Sequence, residues 1–361
     1  RRDPPYVSAH LNARAVRYRD WSAARLSFEG EVDVSNTEVS RVSLNAERIG
    51  YGKRVLDSLQ AHVEGTLLDH RIRIDAHDSA SGRTSPHAYM ELDGTYERRA
   101  WTARIRDSRV TRDDPAQALE IAEAASVLVA RDRAALTDLC YVIAHGRLCA
   151  RGEWRRGGRW EAAVSGYEIP LAMVLPSPKA ELEYAGRIEG SAHAFGTPGQ
   201  PWQGEAGMKI SDAAIIYRPP GAEPERLNLG TGGMHLVALP ERITLSFGIQ
   251  AFTDTFLHTN LQLARDGSND LLSLPLTGDL RARAADANLL PLLFPEIDRA
   301  AGVLTATAQV HGTLAAPELN GRIELSNAEL DSYRTNFALR DLDLVARIDG
   351  NHLSFAGACN A

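Results

Sequence analysis

The chain has 361 residues, 40 of them Lys or Arg and 47 Asp or Glu, for a net charge of −7. Its basic residues form no run or stripe, so the footprint of a phosphate-backbone binder is missing and no nucleic-acid partner is expected. No apolar stretch reaches the roughly 18 residues of a membrane span, and the opening RRDPPYVSAHL lacks the apolar centre of a signal peptide.

Along the chain the dominant signal is alternation with a period of two. VSLNAERI (42–49), LQAHVEGTLLDHRIRIDA (59–76) and GTYERRAWTARI (94–105) place apolar side chains on every second position, as half-buried strands do. The next segment, 118–139, ALEIAEAASVLVARDRAALTDL, has good helix formers and no internal glycine or proline. Propensity predicts a helix there, although the apolar spacing also fits strands. Cys140 and Cys149 then bracket YVIAHGRL, whose Ala144-His145-Gly146 centre predicts a hairpin turn that sets the two sulfurs opposite each other. A disulfide there would contribute about 2–3 kcal/mol and mark an oxidising compartment; the alternative is a pair of buried free thiols. Cys359 is left over.

Two later stretches form a degenerate internal repeat. In GRIEGSAHAFGTPGQPWQGEAGMKISDAAI (186–215), Gly186, Gly196, Thr197 and Pro201 recur as Gly302, Gly312, Thr313 and Pro317 of GVLTATAQVHGTLAAPELNGRIELSNAEL (302–330). Both copies end in Ser-x-Ala, at Ser211 to Ala213 and Ser326 to Ala328. Each predicts strand, turn, strand with one wet face. Between them ERITLSFGIQ (241–250) and TNLQLAR (259–265) alternate, and DANLLPLLFPEI (286–297) predicts a short amphipathic helix, capped by Asp286 and ended by Pro295, that covers or gates the apolar strand ends. DLDLVARIDG (341–350) continues the alternation, and the closing LSFAGACNA stops within a strand or its exit turn, as expected of a piece of a longer chain.

Strands with one apolar face must hide it. Helices are few, and only 6% of the residues are aromatic, which is sparse for a closed sandwich. The expectation is therefore an all-β, elongated, solenoid-like sheet folded lengthwise over small apolar side chains, with one or two short helices. Periodicity leaves open whether it is open or shut.

GRLCARGEWRRGGRWEAAVSGYEIPLAMVLP (146–176), YAGRIEGSAHAFGTPGQPWQGEAGMKISDA (184–213) and LLPLLFPEIDRAAGVLTATAQVHGTLAAPELNGRIELSNAEL (289–330), in that order, resemble the TamB family of the AsmA-like, bridge-like lipid-transfer superfamily. The resemblance covers nearly the whole chain, most specifically 146–330 and least 118–139. It implies a β-taco with a hydrophobic interior groove, residues 1–145 lying upstream of the family's C-terminal domain and 146–361 forming part of that domain, in the C-terminal half of the family's chain. It further implies a periplasmic segment of an inner-membrane-anchored protein of a Gram-negative envelope. There the family carries phospholipids or other acyl-chain lipids between the membranes, partners an outer-membrane Omp85-type barrel, TamA, and has a link to outer-membrane protein assembly. The anchor and the barrel-contacting end of the family match no stretch here, so partner contact is assigned to no residue. No cofactor and no enzymatic activity are implied.

Under this resemblance the groove lining comprises Ile188, Met208, Ile210, Leu245, Phe247, Ile249, Leu261, Leu263, Leu304, Val310, Ile323, Leu325, Leu342, Leu344, Ile348, Leu353 and Phe355. The alternative is an ordinary dry core made of the same residues.

Signals of chemistry are weak. DHRIRIDAHD gathers Asp69, His70, Asp75, His77 and Asp78, and on a strand Arg73, Asp75 and His77 share a face; the arginine opposes a divalent ion, and no metal site is expected. Asp341, Asp343, Arg347 and Asp349 fall opposite the apolar row, a solvated face rather than a carboxylate pair. GxSxG, Walker and HExxH patterns are absent. Trp154, Trp160 and Trp202 near arginines fit strand-edge packing better than sugar binding. Beside lipid transport stand two rivals: a chaperone-like scaffold that presents sheet edges to nascent outer-membrane strands by β-augmentation, and a solenoid carbohydrate-active enzyme, for which clustered acids would be needed.

Overall fold

The computed structural model describes residues 6–360 apart from 34, 36, 53, 79–85, 112–117, 176–181, 219–222, 253, 266–270, 286–296, 333–336 and 351. The chain divides into two compact units, Arg1–Ile169 and Pro170–Ala361. In the first, the strands are β1 (Tyr6–Tyr18), β2 (Trp21–Asp33), β3 (Ser40–Tyr51), β4 (Arg54–Gly65), β5 (His70–His77), β6 (His87–Glu97), β7 (Ala100–Thr111), β8 (Leu119–Ile121), β9 (Ala125–Ala130), β10 (Arg133–Ile143), β11 (Gly146–Arg155) and β12 (Trp160–Pro170). The second opens on a four-residue helix, α1 (Leu171–Val174). It continues with β13 (Leu182–Gly196), β14 (Gln203–Tyr217), β15 (Glu225–Ala238), β16 (Arg242–Phe252), β17 (Thr255–Ala264), β18 (Leu276–Ala284), β19 (Arg299–Gly312), β20 (Pro317–Ser332), β21 (Phe337–Asp349) and β22 (His352–Asn360).

Every pairing among the described strands is antiparallel and, except around β8 and β9, joins strands that follow one another along the chain. β1 to β7 pair in order. β8 and β9 share the place between β7 and β10, and β11 and β12 follow. β13 to β22 form a second uninterrupted meander. The all-β expectation therefore holds, in antiparallel form. Such an order needs only tight turns and short loops between strands, which suits a chain with 29 glycines and few helix signals.

The structure corrects the helix predicted over 118–139. That segment is β8, β9 and the first part of β10. Alternation prevails over propensity because β7 and β10 offer open backbone edges on both sides. ASVLVA fills them, pairing Val127 with Ala103 and with Leu136, and turns Ala125 inward to 3% exposure. The helix predicted over 286–297 falls almost wholly outside the described residues. Residue 145, the end of the upstream segment expected from the sequence, is in the turn between β10 and β11; the second compact unit begins at Pro170, next to α1.

The apolar clusters run sideways across paired strands. One joins Leu92, Ala103, Ile105 and Ala125 with Ile72, Met90, Val127 and Leu136; the other joins Ala300, Leu325, Ala328 and Leu342 with Leu304, Leu330, Leu339 and Leu344. Their members come from consecutive strands in each case, the pattern of one layer's face rather than of two layers pressed together.

Candidate functional site

Register shows how the alternating side chains add up. In the second unit Ile188 lies opposite Ile210, and the line continues through Gly232, Ile249, Leu257, Ala282, Ala306, Ile323 and Ala346 to Phe355. This is one uncharged row across ten strands. Two residues along, a parallel row runs from Gly190 through Met208, Met234, Phe247, Thr259, Leu280, Ala308, Gly321 and Ile348 to Leu353. Its one polar member, Thr259, donates its hydroxyl to the carbonyl of Asp279 at 3.0 Å, so no unmet donor faces the row. A third row carries Leu236, Leu245, Leu261 and Val310, and Leu263 stands two residues beyond Leu261 on the same strand. Leu304, Leu325 and Leu344 flank the first row on its other side, and Leu342 joins them beside Ala328.

All seventeen residues named from the sequence thus lie on one face. Their burial differs: Ile188, Ile210, Val310, Leu325 and Leu342 are buried, Leu353 and Phe355 are exposed, and the rest are half-buried. Among the described residues, only Ile143 and Leu274 are apolar side chains larger than alanine with less than 2% exposure.

Of the five buried members, Ile188, Ile210, Leu325 and Leu342 stand where the strands are bulged. β13 and β14 slip register between Ala185 and Arg187, and β19 and β20 between Ala301 and Val303. Gly186 and Gly302 take φ of +127° and +115°, and opposite them Asp212 and Asn327, the middle residues of the repeated Ser-x-Ala, take +53° and +49°. Ala213 and Ala328, next in line, are 2% and 0% exposed. The internal repeat is therefore a bulge built twice, and Asp341 (φ +50°) extends the second into β21. An extra residue bends a strand and sharpens its twist, so aligned bulges crease the sheet.

The crease turns toward the apolar face. A Cβ added at Gly278 or Gly321, both on the face of the rows, would meet a neighbouring strand's carbonyl oxygen at 2.3 or 2.5 Å; on the other face the nearest backbone atom is 3.2 Å away at Gly233 and 3.7 Å away at Gly248, and at Gly207 nothing lies within 4 Å. A closer approach of neighbouring backbone on the side of the rows is what a sheet curled over its apolar side shows.

The first unit repeats the arrangement. Ala9, Gly30, Val42, Val63, Ile72, Leu92, Ile105 and Ala125 form one row, and Leu11, Phe28, Leu44, Ala61, Ile74 and Met90 another. None of these was named from the sequence. The signal was present in VSLNAERI and HRIRIDA, whose parity places Val42, Leu44, Ile72 and Ile74 on one face. The opposite face is a ladder of cross-strand ion pairs: Arg25–Glu47 at 2.8 Å, Arg41–Glu64 at 2.9 Å, Arg71–Asp93 at 3.2 Å and Arg73–Glu91 at 3.1 Å. Such exposed pairs contribute little stability; they mark which face is wet.

The cysteines stand directly opposite each other on β10 and β11, and the sulfurs are bonded at 2.12 Å. Trp202 is covered by Arg265, whose guanidinium carbon sits 4.7 Å from the ring centre and whose Nη1 donates to the carbonyls of Trp202 and Leu239 at 2.6 and 2.9 Å. The tryptophan packs a strand end, and burial pushes the Arg265 pKa down. The carboxylates of Asp33, Glu91 and Glu153 are all pushed below the usual range, first by hydrogen bonds from Ser35, Tyr89 and Arg155 respectively. These groups stay ionised, the opposite of what general acid catalysis needs.

A family model described as TamB, N-terminal domain, matches residues 1–325. The match runs through both units and ends within β20. Its designation is N-terminal, whereas the resemblance seen in the sequence points to the C-terminal half of that family.

Proposed function

Because the chain belongs to the TamB family, and with it to the machinery of outer-membrane assembly, we propose that the apolar face of each unit, taken by itself, lines a periplasmic groove that shelters phospholipid acyl chains on their way between the inner and outer membranes. The observation that carries this reading is the uncharged row from Ile188 to Phe355. Ten strands spaced at ~4.8 Å extend it over roughly 43 Å. A sixteen-carbon tail drawn into water costs on the order of 13 kcal/mol, at ~0.8 kcal/mol per methylene. An unbroken half-buried apolar surface removes most of that barrier. Headgroups stay at the wet margin while tails slide along the row, and no covalent step is involved.

The Cys140–Cys149 disulfide supports an oxidising compartment. No described helix is long and apolar enough to cross a membrane, so an inner-membrane anchor and contact with a TamA-type Omp85 barrel belong to the proposal without residues assigned to them.

Benzophenone photocrosslinkers at Leu245 and Leu325, with Lys209 on the opposite face as control, test the reading in cells. Phospholipid adducts at the first two positions and not at Lys209 are expected. Adducts to outer-membrane polypeptides alone would overturn it in favour of a scaffold that binds nascent strands.

A further inference from the structure

His77 and His87 are directly opposite partners on β5 and β6, and Asp75 precedes His77 by two residues on the same face. The two imidazoles stack with centroids 4.2 Å apart and planes 6° from parallel, and His87 Nε2 is 3.0 Å from Asp75 Oδ1. One ligating atom from each of the three residues lies within 4.8 Å of the other two. From this geometry we propose that Asp75, His77 and His87 bind a divalent transition-metal ion of the zinc class on the polar face of the first unit.

Two imidazoles and a carboxylate are a donor set for borderline ions, with the remaining positions open to water. Around a tetrahedral zinc ion such donors stand roughly 3.4 Å apart, from bond lengths of about 2.0–2.2 Å. Small side-chain rotations close 4.8 Å to that value. The fourth corner of the patch, Tyr89, donates its hydroxyl to Glu91 at 2.8 Å and is thereby turned away. The arginine that argued against a cation in the sequence is engaged: Arg73 pairs with Glu91 at 3.1 Å, and Arg109, opposite Tyr89, pairs with Glu120 at 3.0 Å. The flanking partners are neutral, Ser58 on β4 and Thr111 on β7. Beyond the site the amide of Asp78 donates to the carbonyl of Pro86 at 3.0 Å, which holds the two strands in register. His77 is exposed and the other two half-exposed, so the ion has a path from solvent. The site faces away from the apolar rows and is independent of the lipid proposal.

Calorimetric titration of the EDTA-stripped chain with zinc chloride tests it. One saturable equivalent is expected, weakened at least about tenfold in H77A, H87A and D75N and unchanged in H235A, a pair with Glu205 on the second unit. Absence of saturable binding, or wild-type affinity in H87A, would overturn the site. On the unmutated chain, zinc should protect His77 and His87, and not His62, from diethyl pyrocarbonate, read by peptide mass spectrometry. Equal modification with and without zinc would count against it in the same way.

Discussion

Gly302 is the sharpest test of the crease. Its φ of +115° is a conformation L side chains avoid, and a Cβ there would stand 2.7 Å from the Ala328 Cα and 3.0 Å from the Ala328 Cβ and the Ser326 carbonyl oxygen. Ala328 has no free volume to yield, being 0% exposed. Backbone strain at such a position costs about 1–3 kcal/mol, and displacing a packed neighbour about 1–3 kcal/mol more. G302A should therefore destabilise the β19–β20 pair by about 2–6 kcal/mol. G186A, at φ +127° but with 3.0 Å to Ala213 Cα, belongs in the lower half of that range. G207A, with nothing within 4 Å, should stay within about 0.5 kcal/mol of the parent. Hydrogen exchange read by mass spectrometry over 299–332 localises the effect. Amide opening there should rise roughly 30-fold or more in G302A, at about 1.4 kcal/mol per tenfold. Exchange equal to the parent's, or G207A as damaging as G302A, would refute the close approach and with it the bulge as the fold's bending element.

Replacing Cys140 and Cys149 by serine should lower stability by about 2–3 kcal/mol, seen as a reduced urea midpoint that added dithiothreitol no longer shifts. Asp33 is 2% exposed and accepts bonds from the Ser35 amide and hydroxyl at 2.8 and 2.6 Å and from the Thr37 and Glu38 amides, both at 2.7 Å. These hold its pKa below the unfolded value, so the stability it contributes is full at neutral pH and lost as pH falls through and below the ordinary carboxylate range near ~4. The gap between parent and D33N, by thermal melts, should be widest at neutral pH and narrow in acid; a gap independent of pH would remove this assignment. In the middle of the uncharged row, A282E places a carboxylate against passing tails at a cost of about 2.5–3.5 kcal/mol. Lipid adducts at Leu245 should drop sharply while far-UV circular dichroism is unchanged, and undiminished adducts would mean that the row is not the path.

The sequence carried the faces of this protein. A period of two is a local property: once a segment is extended, parity alone sends Ile188, Met208, Phe247 and Leu325 to one side and the charges to the other, whatever the strands later pair with. The hairpin that joins Cys140 to Cys149 was legible for the same reason, since a short turn sets register without help from the rest of the chain. The repeat was legible as spacing, though its meaning was not. That Gly186 and Gly302 face Ser-x-Ala bulges, and so crease the sheet, depends on which residues of separate strands come opposite each other. Tertiary structure also decided the strands of 118–139, where vacant backbone partners on β7 and β10 outweighed helix propensity. It likewise brought His87 on β6 opposite His77 on β5 and beside Asp75, because contact between strands is set by pairing, which no single stretch of sequence encodes.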